Sequence, residues 1–146
     1  MLASETDKHW CKGYVSGTFD MFHIGHLNLL RRSKERCDYL VAGVLSDEVV
    51  MKYKGKKPII PLDQRIEIVS AIRYVDEVDI TTEELLDKAI AWKKYNFNAM
   101  FSGDDHLSND WLKENEKTAF GKNGVDIVFF PYTKEITSTM LREMAL

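Results

Sequence analysis

Cysteine is scarce: Cys11 and Cys37 are the only two in 146 residues, and neither stands in a C-x-x-C or Cys/His metal spacing. A disulfide framework or a zinc knuckle therefore has no basis here, and both thiols are expected to be buried or half-buried. No run of about 18 apolar residues exists to span a bilayer. The opening stretch Met1–Lys12 is polar and lacks the apolar centre of a secretory signal, so a cytoplasmic location is expected. Positive charge is not in excess either. The net charge of −3 weighs against broad nucleic-acid binding, which needs a basic surface. Any anionic ligand must meet cations gathered locally, and the run Lys52-Tyr53-Lys54-Gly55-Lys56-Lys57 puts four lysines in six positions. Internal repeats, low-complexity segments and long linkers are missing as well.

What is present is the composition of an ordinary globular protein, 45% hydrophobic and 29% charged. A chain of this length can bury roughly 70% of its unfolded surface in one core. The expected organisation is a polar leader over residues 1–12 and one domain over 13–146.

Hydrophobic periodicity alternates between strand and helix. A β-like run over Gly13–Ser16 ends in Gly17-Thr18-Phe19-Asp20 and is followed by a helical pattern over about Gly25–Cys37, with Leu27 and Leu30 on one side. Tyr39–Leu45 is a nearly continuous apolar run, as expected of a strand buried on both faces of a parallel sheet. A basic loop closed by Pro58 and Pro61 comes next, then a helix opening at Leu62-Asp63 with Ile66, Ile68, Val69 and Ile72 as its apolar residues. Val75–Ile80 predicts a third strand, and Thr81-Thr82-Glu83-Glu84 reads as the capped start of a helix to about Tyr95. Further strands are expected over Ala99–Ser102 and Val125–Phe130, with helices over Asp110–Phe120 and Ser138–Met144. The fold class is therefore α/β: one doubly wound, five-stranded parallel sheet with helices on both faces. Such sheets bind ligands beyond the carboxyl ends of their strands, where strand order reverses. The loops after the first, third, fourth and fifth strands are the expected site.

The most informative segment is Gly17-Thr18-Phe19-Asp20-Met21-Phe22-His23-Ile24-Gly25-His26, between the first strand and the first helix. Histidines three residues apart at a helix start share one side. Gly25 between them lets the backbone approach a bulky anion, and free N–H groups with the positive dipole end favour phosphate. A bare H-x-G-H would more often be a cap and a solvated ring; its setting after G-T-F-D, between strand and helix, favours function. Here the sequence resembles the nucleotidyltransferase superfamily marked by H-x-G-H, with the Rossmann-like fold that this implies.

Arg73-Tyr74-Val75-Asp76-Glu77-Val78 looks like the R-Y-V-D-E-V signature of cytidylyltransferases, among them those acting on glycerol 3-phosphate, phosphocholine and phosphoethanolamine. An arginine before a strand can present a planar fork to phosphate, and the acidic pair can orient it or a neighbouring subunit. Standing alone, the segment would read as a surface ion-pair cluster. Ser102-Gly103-Asp104-Asp105-His106 resembles the G-D-D segment that helps enclose base and ribose, although a glycine followed by aspartates is also an ordinary turn. Ile136-Thr137-Ser138-Thr139 is similar to the R-T-E-G-I-S-T-[ST] block, where hydroxyls and N–H groups at a helix start meet phosphates; Ser and Thr are also plain N-caps. The block departs from the pattern at Tyr132 and Glu135, where arginine and glycine are usual, and Lys134 between them supplies a point charge in place of a fork. Lys54 resembles the lysine of a short lysine–glycine segment that meets the phosphates of both substrates.

The resemblance covers about Gly13–Glu143 and implies a CTP-dependent cytidylyltransferase, closest to those making CDP-glycerol for envelope polymers, with Mg²⁺ carried mainly by the nucleotide and no dedicated metal cluster. It further implies His23, His26, Lys54 and Arg73 as catalytic residues. Gly17, Thr18, Phe19, Asp20, Gly25, Asp76, Gly103, Asp104, Ile136, Thr137, Ser138 and Thr139 become nucleotide-binding positions. Asp20 could hold Mg²⁺ or orient a histidine. The implied partners are CTP or another nucleoside triphosphate, a small phosphorylated acceptor and a second copy of the chain. Phosphocholine or phosphoethanolamine transfer, adenylyl transfer to a sugar phosphate and an inactive nucleotide-binding scaffold are the other readings, since fold alone does not fix chemistry.

Overall fold

A computed structural model of the chain describes residues 8–103, 124–130 and 138–145. Its elements are β1 (Trp10–Gly17), α1 (Ile24–Glu35), β2 (Cys37–Leu45), α2 (Asp47–Lys54), α3 (Leu62–Ser70), β3 (Glu77–Thr81), a single 3-10 turn (Glu84–Leu86), α4 (Lys88–Tyr95), β4 (Ala99–Gly103), β5 (Asp126–Phe130) and α5 (Ser138–Ala145). The five strands form one sheet in the order β3-β2-β1-β4-β5, and every pairing is parallel. The expected α/β sheet is thus the observed one. The chain builds outward from β1 to β3, then crosses back to β4, so strand order reverses between β1 and β4. Those two strands pair at Gly13–Ala99 and Tyr14–Met100, and their carboxyl ends, Gly17 and Gly103, flank the crevice that such a reversal creates.

Strand alternation divides the interior into two layers. Val15, Leu40, Ala42, Val44, Ala99, Phe101 and Phe130 face one side and pack with Leu30 of α1 and Val69 of α3. Tyr14, Val41 and Met100 face the other and pack with Ala91 and Tyr95 of α4. Tyr14 stacks on Tyr95 at 5.3 Å and on Phe97 at 4.9 Å, each contact contributing about 0.5–1.5 kcal/mol beyond burial. Close packing explains two strand glycines. A Cβ at Gly13 would meet Phe101 at 2.4 Å, and one at Gly43 would meet the Thr81 hydroxyl at 2.5 Å.

Four local expectations change. β1 begins at Trp10, so Trp10–Lys12 belongs to the sheet; the Trp10 ring is buried and its Nε1 donates to Asp126 across the sheet at 2.9 Å. The stretch read as a basic loop begins with a helix, α2, whose Ser46 side chain accepts from Val49 N, whose first turn is acidic, and which ends at Gly55 with φ +74°. The helix expected from Thr81 starts later. Thr81 is the buried last residue of β3, and the N-cap is Asp87, which accepts from Ala89 N at 2.9 Å. Ile68, counted among the apolar residues of this helix, is exposed, whereas Arg65 on the same helix is wholly buried. The helix expected over Asp110–Phe120 lies outside the described residues.

Candidate active site

The turn after β1 is held by backbone that few side chains adopt. Phe19 and Met21 have φ of +54° and +47°, which costs about 1–2 kcal/mol apiece and is kept only where surrounding contacts demand it. The Phe19 ring, buried to 3% exposure, lies edge-on to His26 at 5.5 Å and against Phe22 at 6.3 Å. The Phe19 ring therefore braces the turn from below. Asp20, 4% exposed, has the same character. Its Oδ2 accepts from Ile59 N and its Oδ1 from Ile60 N, both at 2.8 Å, while Arg142 pairs with Oδ2 at 2.9 Å and Ser138 donates to its backbone carbonyl at 2.7 Å. One residue thus joins the β1–α1 turn, the loop before α3, and α5. Its carboxylate is taken up by protein donors, so it organises the site and presents no free face to a ligand.

His23 is the N-cap of α1. Its Nδ1 accepts from Gly25 N at 3.0 Å, and His26 Nδ1 accepts from His23 N at 3.2 Å, a reciprocal capping box built from two imidazoles. The rings stack with centroids 4.0 Å apart. The expectation of free N–H groups at Gly25 and the helix start is corrected in part: the histidine side chains take up the N–H groups of His23 and Gly25. Because each Nδ1 is an acceptor, each neutral ring carries its hydrogen on Nε2, on the edge turned away from the helix. Two parallel N–H donors result, with the positive end of the α1 dipole behind them. Burial pushes His26 down to about 4, helped by its neighbour His23 and by Lys54 and opposed by Asp20. Burial lowers His23 too. Both rings are neutral donors at pH 7.

Lys54, at the carboxyl end of α2, donates to the Thr18 hydroxyl at 3.1 Å, and its charge reaches His26. Gly17, Thr18, Gly25, His23, His26, Lys54 and Ser138 thus gather at the carboxyl end of β1. Gly103 stands at the adjoining end of β4, and Thr139 is exposed on α5. Asp104, Ile136 and Thr137, with Asp105, His106, Tyr132, Lys134 and Glu135, lie outside the described residues.

Arg73 and Asp76 are not brought there. Both precede β3, at the amino end of a sheet whose histidines lie beyond the carboxyl end, and α3 descends away from the site before reaching them. Asp76 accepts from Leu40 N at 2.8 Å and pairs with Lys34. Leu40 is level with Gly13, four residues before Gly17, a separation of about 13 Å along the strand. Arg73 is exposed and donates to the Tyr74 hydroxyl at 3.0 Å. Within one protomer the structure therefore does not bring Arg73 and Asp76 to the histidines.

Three residues that periodicity overlooked complete the region. Arg65, with no exposed surface, donates to the carbonyls of Ile60 (2.8 Å), Thr18 (2.8 Å) and Leu45 (2.7 Å) and pairs with Asp47 at 2.6 Å. It thereby fixes the loops after β1 and β2 to each other. The signal was an arginine four residues before Val69, on the apolar stripe of α3. Arg142 supplies the cation for Asp20. Lys88, 9% exposed, donates to the Ser16 hydroxyl at 3.0 Å, and burial pulls its amine down to about 8.

A family described as cytidylyltransferase-like matches residues 14–144. The chain is 36% identical over 118 residues to FAD synthase of Thermococcus kodakarensis, covering 81% of this chain and 78% of that protein. It is 35% identical over 127 residues to glycerol-3-phosphate cytidylyltransferase of Bacillus subtilis, covering 87% and 91%. Ethanolamine-phosphate cytidylyltransferase of Arabidopsis thaliana is 39% identical over 97 residues, which span 63% of this chain and 22% of the plant protein. Among solved structures, a lipopolysaccharide core biosynthesis protein from Thermoplasma volcanium superposes with a TM-score of 0.68 at 24% identity, over 87% of this chain and 99% of that one, a likeness of fold. Among the described residues no helix is long and apolar enough to cross a membrane.

Proposed function

The chain belongs to the cytidylyltransferase-like family of nucleotidyltransferases, and from that premise we propose that it transfers CMP from CTP to a small phosphorylated alcohol, with glycerol 3-phosphate as the leading acceptor. The observation that carries this reading is the stacked pair His23 and His26, two neutral Nε2–H donors set side by side next to Lys54 and Thr18.

In the proposed reaction an oxygen of the acceptor's phosphate attacks the α-phosphorus of CTP. The new bond is P–O to the acceptor, and the bond broken joins the α-phosphorus to the oxygen bridging to the β-phosphate, whose electron pair leaves with pyrophosphate. The attacking phosphate is already ionised at pH 7, with a second pKa near 6, so no general base is required. The histidines donate hydrogen bonds to the α-phosphoryl oxygens as charge spreads over them, and the fixed cap geometry means that little reorganisation is needed at that moment. Lys54 brings a mobile point charge to the same space.

Mg²⁺ is proposed to enter with the triphosphate, where it screens negative charge. Among the described residues no three His, Cys, Asp or Glu side chains converge, so no protein ligand is assigned to it. A homodimer is proposed on the family likeness, and sedimentation at micromolar concentration as a monomer alone would contradict it.

The test is pyrophosphate release with CTP and with ATP, each with Mg²⁺, against glycerol 3-phosphate, phosphoethanolamine, phosphocholine and sugar 1-phosphates. Release that requires CTP and one acceptor is the expected result. Release with ATP alone would favour a second reading, adenylyl transfer, which the likeness to FAD synthase supports. Silence with every pair would contradict transfer to these acceptors, and nucleotide affinity would then decide whether the chain is a nucleotide-binding protein.

A further inference from the structure

At the carboxyl end of the sheet one short helix is only half packed. A surface helix ordinarily hides one stripe along its whole length. In α2 the buried residues are Val49 and Val50, and the last turn, Met51, Lys52, Tyr53 and Lys54, is exposed at every position. That turn therefore projects beyond the packed layers. Gly55 continues the projection, with nothing within 4 Å of where a Cβ would lie, and Lys56 and Lys57 after it are exposed. Tyr53 is 62% exposed and Ile59 is 55% exposed. Both stand at one end of the molecule, because Lys54 meets the Thr18 hydroxyl while Ile59 N is held by Asp20, two residues further along the same turn.

Apolar and cationic side chains are interleaved on this knuckle, residues 51–59. Residues 49–62 contain four lysines and no acid, in a chain whose net charge is −3. Lys52 pairs with Glu83, and Lys54 serves the crevice. Lys56 and Lys57 have no ion pair among the described residues. A surface that is anionic at its face and apolar beneath complements this pattern. A lysine stem lies along apolar material while its ammonium stays in the polar layer, and a tyrosine spans the same boundary. A peptide or a small anion needs a groove, which a turn exposed on all sides does not offer. Nucleic acid supplies the charge but not the apolar depth that Met51 and Ile59 would enter. We propose that the knuckle is a docking surface for an anionic phospholipid bilayer. The crevice lies on the same side, so a docked chain holds Thr18 and Lys54 at the membrane face. This goes beyond the proposed transfer reaction, and its test needs no turnover.

The experiment is flotation of the purified chain with vesicles of phosphatidylglycerol and phosphatidylcholine in equal parts, and with vesicles of phosphatidylcholine alone. Each unpaired lysine near such a surface strengthens binding about fivefold, so the wild type is expected to prefer the anionic vesicles by at least about tenfold. Lys56→Glu/Lys57→Glu is expected to lower that partition at least about 25-fold. Tyr53→Ser/Ile59→Ser, which leaves the charge intact, is expected to lower it at least about tenfold by removing the apolar anchors. Lys93→Glu/Lys94→Glu makes the same change in net charge on α4, where the charges lie too far from the knuckle to act through salt, and is expected to stay within about threefold of the wild type. All six positions are exposed, so Tm is expected to move by no more than about 3 °C in each variant. The proposal is overturned if the wild type does not float, if it partitions equally onto both kinds of vesicle, or if the α4 variant loses as much as Lys56→Glu/Lys57→Glu. Full binding by Tyr53→Ser/Ile59→Ser also overturns it, as does displacement of the wild type from the vesicles by single-stranded RNA, which would mark a general polyanion site.

Discussion

The two ends of the sheet are built on different principles. At the carboxyl end, backbone with φ above zero, a wholly buried arginine, a carboxylate at 4% exposure and two histidines with depressed proton affinity are packed within a few residues of Gly17. At the amino end the ion pairs are exposed or half-buried: Lys8 with Asp126, Lys34 with Asp76. Groups of the first kind are expensive to hold and lose much when a partner goes; those of the second kind contribute little apiece. Where the fold tolerates cost is where its chemistry sits.

The sharpest way to break that contrast is to remove Arg65. Arg65→Met leaves the carbonyls of Ile60, Thr18 and Leu45 and the Asp47 carboxylate without their donor. Urea unfolding is expected to show a loss of about 3–5 kcal/mol, against less than about 1 kcal/mol for Lys8→Ala at the amino end. Equal costs would mean that the two ends do not differ as described. Next in size is His26→Ala, for which turnover is expected to fall at least about a hundredfold, the usual scale for one transition-state donor. Pyrophosphate release near the wild-type rate would remove the ring from the reaction.

Acid offers a graded version of the same test. The folded chain holds His26 near 4 against 6.5 ordinarily, so the unfolded chain binds the proton more readily. Stability from this group is complete above about pH 6.5 and is lost as pH falls towards 4. Protonation at Nδ1 also destroys the acceptor on which the cap depends. The urea midpoint of the wild type is expected to fall between pH 7 and 4.5 by more than that of His26→Ala. Parallel slopes would show that the ring titrates normally. The smallest effect is expected for Arg73→Ala, less than about tenfold on turnover, one exposed contact's worth. A loss matching that of His26→Ala would place Arg73 in a site shared between protomers.

The layered sheet was legible because strands buried on both faces read as apolar runs, and YLVAGVL needs no further context. His23 and His26 were legible because their spacing at a strand-to-helix junction leaves few arrangements. Direction was harder to read. Arg73 and Asp76 spell a motif as distinct as that of the histidines, but a motif carries no statement of which end of a strand it occupies; counting its place before β3 does. α2 was hidden by its lysines, although Ser46 before Asp47-Glu48 and Gly55 at its end are start and stop signals. Arg65 and Lys88 escaped because charge at a helical position is read as solvent-facing, while each has its charge drawn inside by polar atoms from distant strands and loops. Periodicity registers faces, and it does not register partners.

The Asp20 clamp also has a history in time. Its partners stand 39, 40, 118 and 122 residues further along the chain, so a polypeptide made from its amino end carries an unfinished junction for most of its synthesis. The loop before α3 can dock early, but the carboxylate stays without its counter-ion until Arg142 has emerged. Contacts of such long range form late and slowly. A chain halted before α5 could possess the sheet and both histidines and still lack the contact that locks the turn beneath them.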